Sequence, residues 1–287
     1  MPLSISSLQN PRIKQVVRLQ NRRARDKQQR MVVEGIREFT LALDSGFRPE
    51  TVFICPDVWS TPAEKETAAA LRNRLTAEQT VEVIVVSPPL FAKMAYRGQS
   101  GGFLGLFPYL DRSLDDLPLS PAPFLVIIEG GEKPGNIGAI LRTAAAAGVD
   151  GLILCSSAER PGTDMHNPNV VRASLGTVFA VPFAMAETAE VISWLRRRGI
   201  PIAAATPDGE RRYTAVDLTG GIAIIMGSEA FGLSDAWLQA ADKQMVIPMS
   251  GKVDSLNLSV ATALLIYEVV RQRYLHSAPP ASGRTQR

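Results

Sequence analysis

The chain of 287 residues is poor in cysteine and histidine, with two of each. Cys55 and Cys155 lie far apart and each ends an apolar run, which argues against a disulfide scaffold and favours the reducing cytoplasm. His166 and His276 belong to no Cys or His cluster, so we expect no zinc or other metal site.

Long apolar runs are absent as well. No stretch reaches the roughly 18 apolar residues that a membrane-spanning helix requires. The first residues, MPLSISSLQNPRIK, lack the apolar core of a secretory signal. We therefore expect neither a membrane partner nor export.

Acidic residues are nearly missing from residues 1–30, where Asp26 stands against eight Lys and Arg side chains. The segment has a net charge of +7, whereas the remaining 257 residues sum to −4. Such a run is typical of an arm that contacts nucleic-acid phosphates, and the lack of a large apolar face argues against a membrane. The alternative, a solvated helix face, stays open. The candidate phosphate contacts are Arg12, Lys14, Arg22, Arg23 and Arg25.

Apolar runs alternate with helical patterns along residues 1–110, after a basic helix predicted at 4–29. This alternation predicts a small α/β layer. We predict strands at 31–35, 51–55, 81–86 and 101–110, and helices at 36–45, 61–75 and 87–95. Residues 111–123, DRSLDDLPLSPAP, contain three prolines and no periodicity, so we predict a linker between two domains.

The second domain, predicted at 124–277, has strands that are apolar throughout. Strands of this kind favour a parallel sheet that is covered on both faces. We predict strands at 124–129, 151–155, 177–183, 201–206, 222–227 and 243–248, and helices at 136–147, 168–175, 187–198, 234–240 and 257–274. The tail at 278–287 has nothing to pack and is predicted to be disordered.

Three loops that follow strands carry polar residues suited to chemistry. The segment PGNIGAILRTAAAAG at 134–148 places Asn136 and Arg142 on one helix, and its glycine turn could equally be an ordinary strand–helix connection. A dinucleotide-dependent oxidoreductase is disfavoured, because GxGxxG is missing and no acidic residue ends the next strand. MGSEAFGLS at 226–234 presents Glu229 just past a strand end, where it could equally cap the next helix or neutralise Arg142.

The third loop, VIPMSGKVDSLN at 246–257, leads into an apolar helix. Ser255 and Asn257 are plausible caps of that helix, which is the alternative to a functional role for either residue. Ligands of open parallel sheets bind at the carboxyl ends of strands, so the three loops are predicted to converge on one site.

Together, PGNIGAILRTA, GSEAFGLS and IPMSGKVDSLNLSVA resemble the three motifs of the SpoU (TrmH-like) RNA 2′-O-ribose methyltransferases of the SPOUT superfamily. NPNVVRASLGTVFAVP at 167–182 is similar to the family segment between the first two motifs. The resemblance covers residues 122–274. Residues 7–38 resemble, more loosely, the ribosomal-protein-like RNA-binding unit that some members carry at the N-terminus.

The resemblance implies a parallel α/β sheet with a deep trefoil knot that holds S-adenosylmethionine, and a homodimer formed through the last helix. It implies that the cofactor is held mainly by backbone groups of Gly227, Ile247 and Leu256. The same pocket would be lined by Thr206, Met249 and Asn257. The acceptor would be the 2′-hydroxyl of RNA, since DNA lacks this group.

The resemblance also assigns the catalytic shell and one further RNA contact, Arg172. Arg142 would act on the acceptor, either as the base or by orienting the hydroxyl and binding its phosphate. A free guanidinium has a pKa above about 12, which favours orientation and binding. The shell would consist of Arg142, Asn136, Glu229, Ser255 and Asn257.

Ala230 departs from the family pattern, which usually has glycine there. The substitution matters only if that position needs a positive φ. Ribosomal RNA is the expected substrate, because a member with this accessory unit resembles the ribosomal RNA enzymes. The alternatives are a transfer-RNA 2′-O-methyltransferase and a non-catalytic RNA-binding protein that keeps the fold.

Overall fold

The computed structural model describes residues 3–77, 81–96, 101–110 and 112–277, so the predicted tail at 278–287 lies outside the described residues. The chain forms two compact units, one of residues 1–111 and 164–180 and the other of residues 112–163 and 181–287. Residues 164–180, which lie within the predicted second domain along the chain, thus pack with the first unit.

The strands are β1 (Leu3–Ile5), β2 (Arg30–Glu34), β3 (Thr51–Ile54), β4 (Glu82–Val86), β5 (Phe103–Pro108), β6 (Phe124–Glu129), β7 (Gly151–Ser156), β8 (Phe183–Glu187), β9 (Ile202–Ala205), β10 (Arg211–Arg212), β11 (Ile222–Gly227) and β12 (Lys243–Val246). The helices are α1 (Pro11–Arg18), α2 (Arg22–Gln28), α3 (Ile36–Asp44), α4 (Pro62–Ala77), α5 (Pro88–Met94), α6 (Pro134–Ala147), α7 (Pro168–Ala173), α8 (Thr177–Ala180), α9 (Thr188–Arg197), α10 (Asp235–Ala240) and α11 (Leu258–Ser277).

The first unit is built on a five-stranded mixed sheet of order β1-β4-β3-β5-β2, in which β5 runs antiparallel to both of its neighbours. The predicted continuous helix at 4–29 is wrong. Residues 3–5 form β1, and the basic segment is two helices because Asn10 and Asn21 each cap a new helix through their side chains.

The second unit is built on a seven-stranded sheet of order β10-β12-β9-β11-β6-β7-β8. Every neighbouring pair is parallel, which confirms the predicted parallel sheet. The central strands are apolar and buried along almost their whole length, because helices cover the sheet. In the segment predicted as a linker, Leu114 and Leu117 are buried in this core.

The strand predicted at 177–183 is wrong in its first part. Residues 177–180 form α8, and the strand β8 begins only at Phe183, opposite Leu152 of β7. Phe179 is buried in the first unit, where its ring lies 5.6 Å from those of Phe47 and Phe107. The apolar residues of this run pack as a short helix. Periodicity in so short a run cannot distinguish a helix from a strand, which explains the wrong prediction.

No helix in the described ranges is long and apolar enough to cross a bilayer. Within the same ranges no three His, Cys, Asp or Glu side chains are grouped as metal ligands. The trefoil knot that the resemblance implies stays a prediction.

Candidate active site at the carboxyl edge of the parallel sheet

The carboxyl ends of the parallel strands in the second unit meet at one edge of the sheet. Gly227, at the end of β11, lies in register with Glu129 at the end of β6. Thr206 follows β9, the other neighbour of β11, and Ile247 follows β12. Three residues predicted to contact the cofactor thus lie at or just after the ends of three adjacent strands, which is where ligands of open α/β sheets bind.

Asn136, Glu229 and Asn257 form one hydrogen-bonded cluster at this edge. The Asn136 Nδ2 donates to Glu229 Oε1 at 3.1 Å, and the Asn257 Nδ2 donates to the same oxygen at 2.9 Å. The Asn257 Nδ2 also lies 2.9 Å from Asn136 Oδ1. Each of the three motifs contributes one member, so three of the five predicted catalytic residues are brought together.

A second carboxylate, Glu132, completes the cluster and was missed in the sequence. Its Oε2 accepts from Asn136 Nδ2 at 2.8 Å, and its Oε1 accepts from the Glu229 backbone N–H at 2.8 Å. Its own N–H donates to Thr163 Oγ1 at 2.8 Å. The only signal for it in the sequence is its place in the glycine loop before α6. Glu132 links the first motif to the second.

The pKa of Glu229 lies below its ordinary value. The largest cause is the hydrogen bond from the Leu258 N–H, followed by the one from Asn136, and Lys133 adds a favourable charge 3.5 Å away. The carboxylate is therefore ionised at neutral pH. It acts as an acceptor that fixes two amides and the first turn of α11, not as an acid that holds a proton.

Asn257 has both of the functions that the sequence left as alternatives. Its Oδ1 caps α11 by accepting from the Ser259 N–H at 3.1 Å and from the Ser259 hydroxyl at 2.6 Å. Its Nδ2 is left to donate to Asn136 and Glu229. The helix cap thus orients the amide within the cluster.

Arg142 and Ser255 lie outside the hydrogen-bonded cluster. Arg142 is exposed on α6, six residues after Asn136, so the two side chains point about 120° apart around the helix. Ser255 is exposed in the loop that precedes α11. Within the described ranges, neither side chain forms a hydrogen bond or an ion pair. Their predicted roles on the acceptor stay predictions.

The loop that follows β12 fits a ligand that is held through backbone groups. Between 249 and 256, no backbone N–H or C=O is hydrogen-bonded to another part of the described chain. Met249 is exposed in this loop, whereas Leu256 is half-buried. Free amides and carbonyls beside apolar side chains suit a nucleoside-like cofactor.

Gly227 is needed for the loop after β11 to close. A Cβ on Gly227 would lie only 2.1 Å from the carbonyl carbon of Gly232. The Gly232 N–H donates to the Ser228 carbonyl at 2.9 Å, which closes a five-residue loop around Glu229. Ala230 has no positive φ, so alanine fits at the position where the family usually has glycine.

Glu129 and Arg160 hold the loop that carries Glu229 through hydrogen bonds to its backbone and to Ser234. Glu129 is 1% exposed and accepts from both the N–H and the hydroxyl of Ser234 at 2.7 Å. Arg160 lies 3.4 Å from the Glu129 carboxylate and donates to the carbonyl oxygens of Phe231 and Gly232. Neither residue had been assigned a role from the sequence.

Arg25 is not available to RNA, which corrects its predicted role. The side chain is buried in the first unit, where it pairs with Asp164 and donates to the carbonyl oxygens of Leu19 and Gln20. The guanidinium holds residues 164–180 against the basic helices. Counting charges along the sequence does not reveal which of them are buried.

The other predicted RNA contacts are on the surface of the first unit, Arg172 among them. Arg12 pairs with Glu82 at 2.8 Å, and Arg22 lies 3.6 Å from Asp26. Three exposed cations form no hydrogen bond or ion pair through their side chains within the described part of the chain, and these are Lys14, Arg23 and Arg172.

His166 is a buried residue of the same unit. Its Nε2 accepts from the Leu110 N–H at 3.1 Å, and its ring is stacked on Tyr109 with centroids 3.6 Å apart. Burial lowers the pKa of His166 to about 4, so the imidazole is neutral at pH 7. The ring thus connects the segment 164–180 to residues 109 and 110, near the end of the unit's first segment.

Comparison with known proteins identifies the family of the chain. Residues 123–267 match the SpoU rRNA Methylase family, and residues 10–105 match the MRM3-like substrate binding domain. A 23S rRNA (uridine(2479)-2′-O)-methyltransferase of Streptomyces viridochromogenes is 31% identical, over 93% of this chain and 89% of that protein. An uncharacterized tRNA/rRNA methyltransferase of Synechocystis sp. is 30% identical over 96% of each chain.

Solved structures are similar over nearly the full length. The AdoMet-bound rRNA methyltransferase from Sinorhizobium meliloti has a TM-score of 0.82 at 29% identity, covering 96% of this chain and 98% of that one. An RNA 2′-O ribose methyltransferase has a TM-score of 0.77 at 36% identity, covering 94% of this chain and 99% of that one. The chain therefore belongs to the SpoU rRNA methylase family and has the fold of its RNA 2′-O-methyltransferases.

Proposed function

We propose that this protein transfers the methyl group of S-adenosylmethionine to a ribose 2′-hydroxyl of ribosomal RNA. The observation that carries the proposal is the cluster of Asn136, Glu229 and Asn257, which joins three distant motifs at the carboxyl edge of the sheet. The relatives whose names state a 23S rRNA 2′-O-methyltransferase support the choice of RNA.

The residues at the strand ends would hold the cofactor. Gly227, Ile247 and Leu256 offer backbone groups, while Thr206 and Met249 flank the same edge. When bound there, S-adenosylmethionine supplies an electrophilic methyl group and its own leaving group. The protein has to align the acceptor oxygen with that methyl group and accommodate the departing proton.

The polar cluster would provide a rigid wall for the acceptor ribose. Glu229 is ionised and its Oε1 accepts from two amides and a helix N–H, so its role is to orient Asn136 and Asn257. No imidazole is part of the cluster. Arg142 would bind the acceptor phosphate with its planar fork and orient the hydroxyl, because its guanidinium is exposed and forms no ion pair within the described ranges. Ser255 would join this shell from the loop before α11.

The first unit would bind the RNA backbone. Lys14, Arg23 and Arg172 are exposed cations on this unit, which matches a substrate-binding domain over residues 10–105. Contacts of this kind add affinity that falls with salt and does not depend on sequence. The proposed location is the cytoplasm, which the buried, unpaired Cys55 and Cys155 fit.

A homodimer through α11 is part of the proposal. Val260, Leu264 and Tyr267 are exposed at spacings of four and three residues, so they form one apolar stripe on the helix. Introducing a charge with Tyr267→Glu is expected to shift the protein from dimer to monomer in light scattering, while Met185→Glu on β8 is not. A wild-type monomer at micromolar concentration would contradict this part.

The direct test is to map 2′-O-methyl groups on ribosomal RNA from cells with and without the gene. One methylated ribose that disappears with the gene, and that the purified protein restores with S-adenosylmethionine, is expected. Restoration on transfer RNA alone would favour the alternative substrate. Cofactor binding without transfer to any cellular RNA would favour a non-catalytic RNA-binding protein.

A further inference from the structure

Phe231 is an exposed aromatic residue in the loop that carries Glu229. It is 64% exposed, although a phenylalanine of the second unit would ordinarily be buried in the core. Single exposed apolar residues are common, so exposure alone assigns nothing. The way in which the loop and the ring are held is what sets Phe231 apart.

The backbone around Phe231 is fixed by several hydrogen bonds. The Gly232 N–H donates to the Ser228 carbonyl at 2.9 Å, and these two residues form an isolated β-bridge. Arg160 donates to the Gly232 carbonyl at 2.5 Å and to the Phe231 carbonyl at 3.3 Å. The tip of this exposed loop is therefore held in one conformation by contacts from the half-buried Arg160, which is unusual for a surface loop.

The Phe231 ring is also in contact with the Arg160 guanidinium. The Arg160 Cζ lies 5.8 Å from the centroid of the Phe231 ring, within the range of a cation–π contact. Arg160 is in turn held 3.4 Å from Glu129, a carboxylate that is 1% exposed. The aromatic surface is therefore pre-positioned, and little conformational entropy is lost when a flat ligand stacks on it.

We propose that Phe231 is a stacking platform for a nucleobase of the RNA substrate, beside the ribose that is methylated. The inference rests on the proposed function. Phe231 and Glu229 are two residues apart, so their Cα atoms are separated by at most about 7 Å. A base attached to, or adjacent to, the acceptor ribose is within reach of the ring.

The proposal specifies the class of acceptor. Bases inside an A-form duplex are stacked on each other and have no free face, whereas unpaired bases in loops and bulges stack on aromatic side chains. The acceptor nucleotide is therefore unpaired or flanked by an unpaired base.

The first experiment compares Phe231→Ala, Phe231→Leu and Phe231→Trp in methyl transfer to ribosomal RNA transcripts. Loss of stacking is expected to raise the KM for RNA roughly tenfold in the Ala and Leu variants, with kcat and cofactor affinity unchanged. Phe231→Trp is expected to keep the wild-type KM, because a larger aromatic ring stacks at least as well. Met185→Ala is the matched control, since Met185 is an exposed apolar residue of the same unit.

The second experiment does not need methyl transfer. Trp194 and Trp237 are buried and Trp59 is half-buried, so the fluorescence of the tryptophan in Phe231→Trp is taken as the difference from the wild-type signal under the same RNA addition. Quenching by single-stranded oligouridylate, and weaker quenching when that strand is paired with oligoadenylate, is expected. If the wild type methylates no ribosomal RNA but this quenching occurs, the proposed function fails and the stacking platform stands.

Other outcomes overturn the inference. An unchanged KM in Phe231→Ala, or a tryptophan that single-stranded RNA does not quench, would show that the ring binds no base. A Phe231→Ala variant that loses cofactor affinity would place the ring in the cofactor pocket. A variant that turns monomeric would instead place the ring against a second copy of the chain.

Discussion

Asn257 donates a 2.9 Å hydrogen bond to Asn136, a residue 121 positions earlier in the chain. The bond connects the N-cap of α11 to the first turns of α6, and Glu229 accepts from both amides. Because each of these side chains comes from a different sequence motif, the geometry of the cluster depends on all three motifs at once.

Asn257→Asp separates the two functions of Asn257. Aspartate caps a helix as well as asparagine does, so α11 is expected to keep its stability. The new carboxylate cannot donate, and it faces the oxygens of Asn136 and Glu229. Methyl transfer is expected to fall roughly tenfold to a hundredfold, as for the loss of a hydrogen bond to a charged group. Transfer rates and a thermal melt of the same sample measure both effects.

The matched variant is Asn257→Ala, which removes the cap and the donor together. It is expected to lose activity and, in addition, about 1 kcal/mol of unfolding free energy. If Asn257→Asp transferred methyl groups at the wild-type rate, the cluster would have no role in catalysis.

Arg142→Ala is expected to abolish detectable transfer while the affinity for S-adenosylmethionine stays at the wild-type value. The reason is that the guanidinium is exposed and is not hydrogen-bonded to the cluster, so its proposed contact is with the RNA phosphate and not with the cofactor. Arg142→Lys is expected to restore little, because an ammonium cannot make the planar bidentate contact with a phosphate. Single-turnover transfer and calorimetric titration of the cofactor distinguish these roles.

Arg197→Ala serves as a control for charge alone. Arg197 is exposed on α9, and its side chain donates a hydrogen bond to Ser193 of the same helix. Turnover by Arg142→Ala on the true RNA at near the wild-type rate would remove Arg142 from the reaction.

Several of these features could be predicted from the sequence. The parallel sheet followed from uniformly apolar strands, and the meeting of Asn136, Glu229 and Asn257 followed from their places after strand ends and from the family motifs. Glu132 and Arg160 could not be found in this way, because a single charged residue in a loop has no periodicity. Only the folded loops show that they hold Glu229 and Phe231 in place.

Burial was the other property that the sequence did not reveal. Arg25 belongs to a run of cations, yet it is buried in the pair with Asp164. The apolar residues around Phe179 were predicted to form a strand, and they pack as a helix instead. In both cases residues 164–180 supply the missing partner, and no local pattern indicates that this segment packs with the N-terminal unit.

Lys14→Ala and Arg23→Ala are expected to flatten the salt dependence of RNA binding. Each lost phosphate contact reduces the slope of log K against log salt by about 0.9 for a duplex or 0.7 for a single strand. These two cations are exposed and free of ion pairs within the described ranges, whereas Arg12 is paired with Glu82. Filter binding across a salt series measures the slope. An unchanged slope in the double variant would leave the segment as a solvated surface.

Arg25→Ala has a different expected effect. Removing the guanidinium leaves the Asp164 carboxylate in a largely buried position without its partner, and this is expected to cost about 3 kcal/mol or more of unfolding free energy. The salt slope of the folded fraction should not change. Urea denaturation measures the loss, and wild-type stability with a flatter slope would show that Arg25 contacts RNA after all.

His166 is expected to make the first unit sensitive to mild acid. Its pKa is about 4 in the folded protein, against an ordinary value of 6.5, because burial disfavours the charged imidazolium. Below pH 6.5 the unfolded chain takes up the proton and the folded chain does not. The stability contribution is therefore complete above pH 6.5, declines as the pH falls towards 4, and totals about 3 kcal/mol.

His166→Gln, which does not titrate, is expected to show a flatter profile in this window when urea midpoints are compared between pH 7 and pH 4.5. Parallel profiles for the two proteins would mean that the imidazole is protonated in the folded state.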